Sequence, residues 1–233
     1  MKVRIKFRKY GIMKFIGHLD VMRYFQKAIR RARIPIAFSG GYSPHMIMSF
    51  ANPLGVGLTS DGEYFDIELK EPISSSEAVG RLNAQMVEGM EVLSFVEIPD
   101  DKKNKGMSIV AGASYLSTPR KGALPDGWEK KLEEFYHQET ITVLKATKKS
   151  EKEVNIRPLI YELKAQGPSI YMKVAAGSAQ NLKPELVTEA FLLFLGLQED
   201  IVFAQHRIEN YADIGEEGSP HFVPLDALGW EIV

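Results

Sequence analysis

The order of periodic patterns in the first hundred residues constrains this fold more than any other feature of the sequence. Apolar residues alternate with cations over residues 3–9, which predicts a strand, and a 3.6-residue apolar period over residues 18–33 predicts a helix. The patterns that follow predict two extended pieces flanking a loop, then a strand, a helix and a strand, over residues 36–38, 46–50, 63–69, 74–89 and 91–98. The order β-α-β-β-α-β is that of the split βαβ unit of ferredoxin-like folds.

The rest of the chain repeats this order less clearly. Residues 100–106 form a polar, charged joint without periodicity, so we expect one domain over residues 1–102 and a second over residues 107–233. The patterns of the second half predict strands near residues 108–117, 140–146, 156–165, 169–175 and 201–208 and helices near residues 127–137 and 184–197. The sequence therefore predicts an α+β fold of two tandem ferredoxin-like units, ending in a loop and a short terminal segment.

Cysteine is absent from the 233 residues. Disulfides, thiolate zinc sites, cysteine nucleophiles and cysteine-held iron–sulfur clusters are therefore excluded. The five histidines show no metal-binding spacing, so we expect no metal and no cofactor. Residues 1–10 do not resemble a signal peptide, and the most apolar stretch, residues 186–197, is too short to cross a bilayer. We expect no membrane association and a cytoplasmic protein.

A strong charge polarity lies behind the net charge of −1. Residues 1–50 hold 11 Lys and Arg and a single acid, Asp20, whereas residues 51–101 hold 2 cations and 11 acids. Their charges, +10 and −9, indicate that one segment neutralises part of the other.

The first strand illustrates this neutralisation. In a split βαβ unit the first and third strands are antiparallel neighbours, so their side chains form facing rows. The two rows are Arg4, Lys6 and Arg8 against Tyr64, Asp66 and Glu68. Each ion pair of this kind stabilises a sheet by roughly 0.2–1 kcal/mol, and we expect these cations to serve the structure.

The helix cations have no such obvious partners. Arg23, Lys27, Arg30 and Arg31 gather on the side of the predicted helix opposite its apolar stripe. Cations on one helix face can bind successive phosphates of a nucleic acid. A solvated face, or one neutralised by the acidic segment, explains the same pattern equally well.

A glycine loop is the second candidate for binding. Gly40 and Gly41 permit close approach of a phosphate or sugar, Tyr42 offers a ring for stacking, and His45 could donate to an anion. A small acidic metabolite would fit the same chemistry, and a wide turn is the plain alternative. The loop at residues 52–57 allows the same two interpretations and favours the structural one.

Candidates for catalysis are weak. His18 begins the predicted helix and His45 lies in the glycine loop, and either could act as an acid or a base. Further along the chain, Arg157 and Lys183 stand where elements begin and could bind anions, although turns explain both positions. These residues favour a non-catalytic protein and leave an enzyme as the alternative.

Several runs of the sequence match motifs of a known family: residues 4–11, 15–20, 30–35, 38–45, 49–51, 53–57, 62–66, 156–159 and 182–185. Together they resemble the radical-SAM-linked protein family, a bacterial domain of unknown function. Members of that family are encoded beside, or fused to, a radical SAM protein. The resemblance therefore implies a radical SAM partner, which would hold the cluster that this cysteine-free chain cannot hold.

Three functions follow as hypotheses. The first is an accessory protein that binds an RNA, such as tRNA or rRNA, and presents it to the radical SAM partner. The second is a metal-independent endoribonuclease, because the predicted architecture and the position of His18 resemble CRISPR repeat-processing enzymes, although their C-terminal glycine-rich loop is not evident. The third is a docking module that binds the partner, or a second copy of the chain, through the basic helix. The oligomeric state stays open.

Overall fold

The computed structural model describes residues 1–100, 105–146, 151–197, 201–216 and 218–233. The first half contains β1 (Lys2–Lys9), α1 (His18–Arg31), β2 (Met48–Ala51), β3 (Thr59–Glu68), α2 (Ser75–Asn83) and β4 (Met90–Ile98). The second half contains α3 (Gly106–Ile109), β5 (Val110–Lys121), α4 (Trp128–Tyr136), β6 (Thr142–Ala146), β7 (Glu151–Asn155), β8 (Ile160–Gln166), β9 (Ser169–Ala175), α5 (Pro184–Phe194), β10 (Val202–Asp213), β11 (Phe222–Pro224) and β12 (Trp230–Glu231).

One mixed sheet of ten strands connects the two halves. Its order is β12-β4-β1-β3-β10-β5-β9-β8, with β2 also paired to β3 and β11 to β10. The halves join where β10 runs parallel to β3, with His206 opposite Thr59 and Arg207 opposite Ser60. Strands β6 and β7 form a separate hairpin. The predicted mixed α+β class is confirmed.

The first half packs around a cluster of aromatic rings. Phe25 of α1 lies 4.7 Å from Phe7 of β1 and 4.6 Å from Phe65 of β3, measured between ring centroids. Phe50 of β2 stacks on Phe65 at 5.0 Å. Because Phe25 belongs to the apolar stripe that the helical period predicts, the opposite face of α1 is left to the solvent.

A second core lies between the sheet and helices α4 and α5. Phe135 of α4 and Phe191 of α5, both almost fully buried, have ring centroids 5.4 Å apart. They pack with buried Met172 and Val174 of β9. Each half of the sheet is therefore covered by helices of its own half.

Element ends account for most differences from the predicted pattern. Helix α1 ends two residues early because Arg33 adopts a left-handed φ of 53°. Helix α2, capped by Ser74 as predicted, ends at Asn83 instead of residue 89. Strand β3 begins four residues early, because Gly62 lies flush against β10, where a Cβ would come within 2.7 Å of the Glu209 Cα.

The C-terminal segment returns to the first half. The terminal segment that follows the predicted loop contains β11, a 3-10 helix at Leu225–Leu228 and β12, which pairs with β4. The Ile232 amide donates to the Ser75 hydroxyl at 2.8 Å, and the Ser75 amide donates to the Ile232 carbonyl at 2.9 Å. The end of the described chain therefore closes the edge of the sheet opposite β8.

No helix in the part of the chain that the structure describes is long and apolar enough to cross a membrane.

Candidate functional site

The Arg4 side chain of β1 is buried in an ion pair. Its Nε donates to Asp66 Oδ1 at 2.8 Å and its Nη2 donates to Asp66 Oδ2 at 3.0 Å, which makes a bidentate contact. Its Nη1 donates to the Leu225 carbonyl at 3.0 Å. The predicted facing of the two rows therefore holds at Arg4, whose partner in the β3 row is Asp66.

The other β1 cations reach different acids from those we predicted. Lys6 Nζ donates to Glu209 Oε2 at 2.5 Å, across the junction with β10. Arg8 Nε donates to Asp61 Oδ1 at 2.9 Å, and its Nη1 lies 3.4 Å from Glu91 Oε2. All three cations of the predicted row are thus neutralised, but two of them by acids outside the predicted row.

Of the other two residues in the predicted facing row, Tyr64 lies opposite one of the three cations and Glu68 does not. Tyr64 does lie opposite Lys6, but its hydroxyl donates to Glu209 Oε1 at 2.8 Å. Glu68 lies opposite Lys2, one step beyond the predicted row. The parallel junction with β10 supplies Glu209, whose pKa is raised by burial and partly restored by the Lys6 ammonium.

A second buried ion pair lies at the junction of the halves. Arg207, only 4% exposed, donates from Nη1 to Glu63 Oε1 and to the Asn52 carbonyl, both at 2.8 Å. Its Nε donates to the Tyr115 hydroxyl at 3.1 Å. Burial raises the pKa of Glu63, and the Arg207 guanidinium opposes that rise. Burial also lowers the pKa of Lys9, whose Nζ lies close enough to lower the pKa of Glu63 as well.

The α1 cations lie on the outside of the protein. Arg23 is 68% exposed in its side chain, and its Nη1 lies 3.6 Å from Asp20 Oδ1. Arg31 donates from Nη2 to the Gln85 carbonyl at 3.5 Å. Lys27 and Arg30 are exposed and have no ion pair or hydrogen bond with any described residue. The acidic residues of the sheet therefore neutralise β1 and leave the basic face of α1 positive.

The glycine loop projects as an exposed turn. Phe38 and Met46 form a bridge at its base, and the Ser39 hydroxyl contacts His45 Nδ1 at 2.9 Å. Gly41 has a φ of 96°, which a turn needs and side chains other than glycine rarely adopt. The Tyr42 side chain is fully exposed. The described contacts do not join this loop to the cations of α1.

The two candidate histidines have separate surroundings. The His18 ring meets the Phe50 ring edge-on at 5.1 Å between centroids, and partial burial lowers its pKa. His45 is exposed and contacts Ser39. Among the described residues, neither histidine forms a hydrogen bond with a carboxylate.

Potential metal ligands do not cluster in the part of the chain that the structure describes. The described ranges contain no group of three or more His, Cys, Asp or Glu residues that could hold a metal ion. His206, which the sequence did not single out, contacts the Thr59 hydroxyl at 2.8 Å and Asp61 Oδ2 at 3.1 Å. It strengthens the junction of the halves.

A cavity of about 730 Å³ opens beside that junction. The loop after β2 forms one wall, from Asn52 to Leu58, and the start of α5 forms the other, with Lys183. Tyr115 and Arg207 also line it. Arg157, the other cation considered at an element start, lies over the Tyr136 ring at 4.1 Å and does not line the cavity. The fold thus unites two segments that the sequence presents 130 residues apart.

Comparison with known proteins gives one family and a distant structural likeness. A family model described as "Uncharacterized protein conserved in bacteria (DUF2344)" matches residues 2–184. No protein of curated function matches the chain by sequence. Among solved structures, the crystal structure of a Cbf5-Nop10-Gar1 complex is similar, with 12% identity and a TM-score of 0.45. That match covers 89% of this chain and 48% of the other chain, so this chain spans about half of its length.

Proposed function

The chain belongs to the uncharacterised bacterial family DUF2344, and we propose that it is a non-catalytic accessory that binds structured RNA. This RNA, which is a tRNA or an rRNA, lies along the basic face of α1. The chain presents it to the radical SAM partner that the sequence resemblance implies. One observation carries the proposal: Lys27 and Arg30 are exposed and have no counter-ion among the described residues. By contrast, Arg4, Lys6 and Arg8 of β1 are all paired with acids.

The spacing of these cations suits a phosphate backbone. From Arg23 to Arg30 the helix rises by about 10 Å at 1.5 Å per residue. That distance is enough for a row of cations to contact more than one phosphate. A solvated face without a ligand would equally expose these side chains, so salt dependence of binding is the property that separates the two interpretations.

The glycine loop supports the same proposal in a different way. Tyr42 is fully exposed at the tip of a turn, where an unstacked base could pack on its ring. Stacking of this kind contributes about 1–3 kcal/mol per base. The loop is therefore a second contact for RNA, separate from the α1 cations.

The strand order of the sheet supports a proposal about how the chain is divided into units. The strand orders β4-β1-β3-β2 and β10-β5-β9-β8 each have the arrangement of a split βαβ unit. We interpret the chain as two such units, over residues 1–102 and 107–233, that share a sheet at the β3–β10 junction. The basic face of α1 belongs to the first unit alone.

A salt titration tests the RNA proposal. The Kd for a tRNA is measured by fluorescence anisotropy between about 50 and about 200 mM salt, where phosphate contacts weaken steeply. We expect Lys27→Glu/Arg30→Glu to weaken binding at low salt by about tenfold or more and to lower the salt slope by about 2, one for each lost contact.

The matched control is Lys130→Glu/Lys131→Glu, which makes the same charge change on the exposed face of α4. It should leave the Kd within about twofold, because its cations lie outside the proposed interface. Undetectable binding at low salt, or equal losses in both double variants, would show that α1 does not bind RNA.

A further inference from the structure

The cavity between the two halves has the size and the chemistry of a ligand site. Its volume of about 730 Å³ falls within the range of about 300–1,000 Å³ that is typical of small-molecule sites. Residues of both halves line it. We propose that it binds a nucleoside monophosphate, either as a free nucleotide or as one nucleotide of an RNA strand.

Arg207 supplies a fixed cation in the cavity wall. Three of its hydrogen bonds, to Glu63, Asn52 and Tyr115, use Nη1 and Nε and hold the guanidinium in place. Nη2 forms no hydrogen bond with any residue in the described ranges, although every buried side-chain nitrogen and oxygen there has a partner. Nη2 therefore reaches solvent, and the cavity is the open space that Arg207 lines.

Lys183 adds a second cation at the opposite wall. It is the exposed residue that immediately precedes α5, and Asn181 beside it offers an amide donor. An arginine and a lysine that face one space can share the oxygens of a phosphate. Because Glu63 already balances Arg207, the site favours a ligand with one small anionic group over a highly charged one.

Two carboxylates shape the rest of the ligand. Glu185 and Glu189 of α5 line the same cavity as Lys183. Carboxylates accept hydrogen bonds from ribose hydroxyls, as an acidic residue does in dinucleotide-binding folds. They would repel a second phosphate, which distinguishes a monophosphate from a di- or triphosphate.

Apolar side chains provide a surface for the base. Pro53, Val56 and Leu58 line one wall and Leu186 lines the other, and the largely buried Tyr115 also contributes to the lining. A nucleobase packs against an apolar or aromatic surface of this kind and does not require a charged group there. Phosphate, ribose and base each have a matching part of the cavity.

Binding to the full chain tests this site. The probes are the four nucleoside 5′-monophosphates, the corresponding nucleosides and inorganic phosphate, each titrated by isothermal calorimetry. We expect at least one monophosphate to bind with a Kd below about 1 mM, and its nucleoside to bind about tenfold more weakly.

Two variants locate the site, and thermal unfolding confirms that each is folded. Lys183→Met, at an exposed position, should weaken monophosphate binding by about tenfold, and Leu58→Trp should abolish it by filling the cavity. The control Lys130→Met removes an exposed cation outside the cavity and should leave the Kd unchanged. The inference is overturned if no monophosphate binds, or if Lys183→Met leaves the Kd for the monophosphate as unchanged as Lys130→Met does.

Competition separates the two sources of the nucleotide. If a single-stranded tetranucleotide displaces the monophosphate, the cavity takes a nucleotide of an RNA strand; if it does not, the ligand is a free nucleotide. The α1 variant Lys27→Glu/Arg30→Glu separates this site from the proposed RNA face. Loss of tRNA binding with intact monophosphate binding would show that the two sites are independent.

Discussion

Strand β1 and helix α1 are the two basic segments of the first half, and their cations have opposite surroundings. Arg4 is buried against Asp66, Lys6 pairs with Glu209, and Arg8 pairs with Asp61. In α1, Lys27 and Arg30 are exposed and have no described partner. A strand in the middle of a sheet places its side chains near other strands, whereas a surface helix directs one face at water. Local charge therefore indicates an interface only after the secondary structure is known.

The largest expected effect breaks the buried side of this comparison. Arg4→Met leaves the Asp66 carboxylate without its bidentate partner in a buried place. We expect a loss of about 3–5 kcal/mol in the free energy of unfolding, as for other broken buried pairs. Urea unfolding monitored by circular dichroism measures it.

The double variant Arg4→Met/Asp66→Asn is the control. Asparagine carries no charge, so it should recover part of the lost stability. If Arg4→Met alone lowers the free energy of unfolding by less than about 1 kcal/mol, the Arg4 pair contributes no more than a surface ion pair does. The cations of β1 and α1 would then not differ in their contribution to stability.

A smaller effect comes from His18, the first residue of α1, whose ring packs against Phe50 of β2. Partial burial lowers its pKa below the ordinary value of 6.5, so the unfolded chain takes up its proton first as the pH falls. The stability that neutral His18 contributes is therefore complete above pH 6.5 and declines as the pH drops below it.

Unfolding in urea at a series of pH values below and above 6.5 tests this dependence. His18→Gln should flatten the decline, because glutamine does not titrate there. An equal decline in the variant and the parent chain would assign the pH dependence to other groups.

The smallest expected effect concerns the exposed side of the comparison. Lys27→Met/Arg30→Met should change the free energy of unfolding by no more than about 0.5 kcal/mol, because these side chains have no described partner. The same urea experiment measures it. A loss similar to that of Arg4→Met would mean that α1 needs its cations for folding, and their role in binding would then lose its support.

The fold of the first half follows closely from local patterns. Alternation over residues 3–9 predicted β1, and the apolar stripe with Phe25 predicted α1 and the side on which it packs. The antiparallel pairing of β1 and β3 predicted two facing rows of side chains, and Arg4 and Asp66 are the members of those rows that pair. Period and register are local properties, and a sequence displays them directly.

Contacts between the halves could not be predicted in this way. Lys6 and Glu209 are separated by 203 positions, and Arg207 and Glu63 by 144. Nothing in either local pattern reveals that β10 runs beside β3, so the acids nearest in the predicted sheet were assigned as partners instead. The cavity is another contact of this kind, because the sequence separates the loop at residues 52–57 from Lys183 and no local pattern connects them.

The return of the C-terminal segment has a consequence for synthesis. Arg4 needs the Leu225 carbonyl and Lys6 needs Glu209, both of which leave the ribosome after most of the chain has been made. At a synthesis rate of about 5–20 residues per second, these acceptors are made more than about ten seconds after β1. During that interval the cations of β1 in the nascent first half lack their final partners. Water or chaperones would then have to prevent these cations from pairing with incorrect acids.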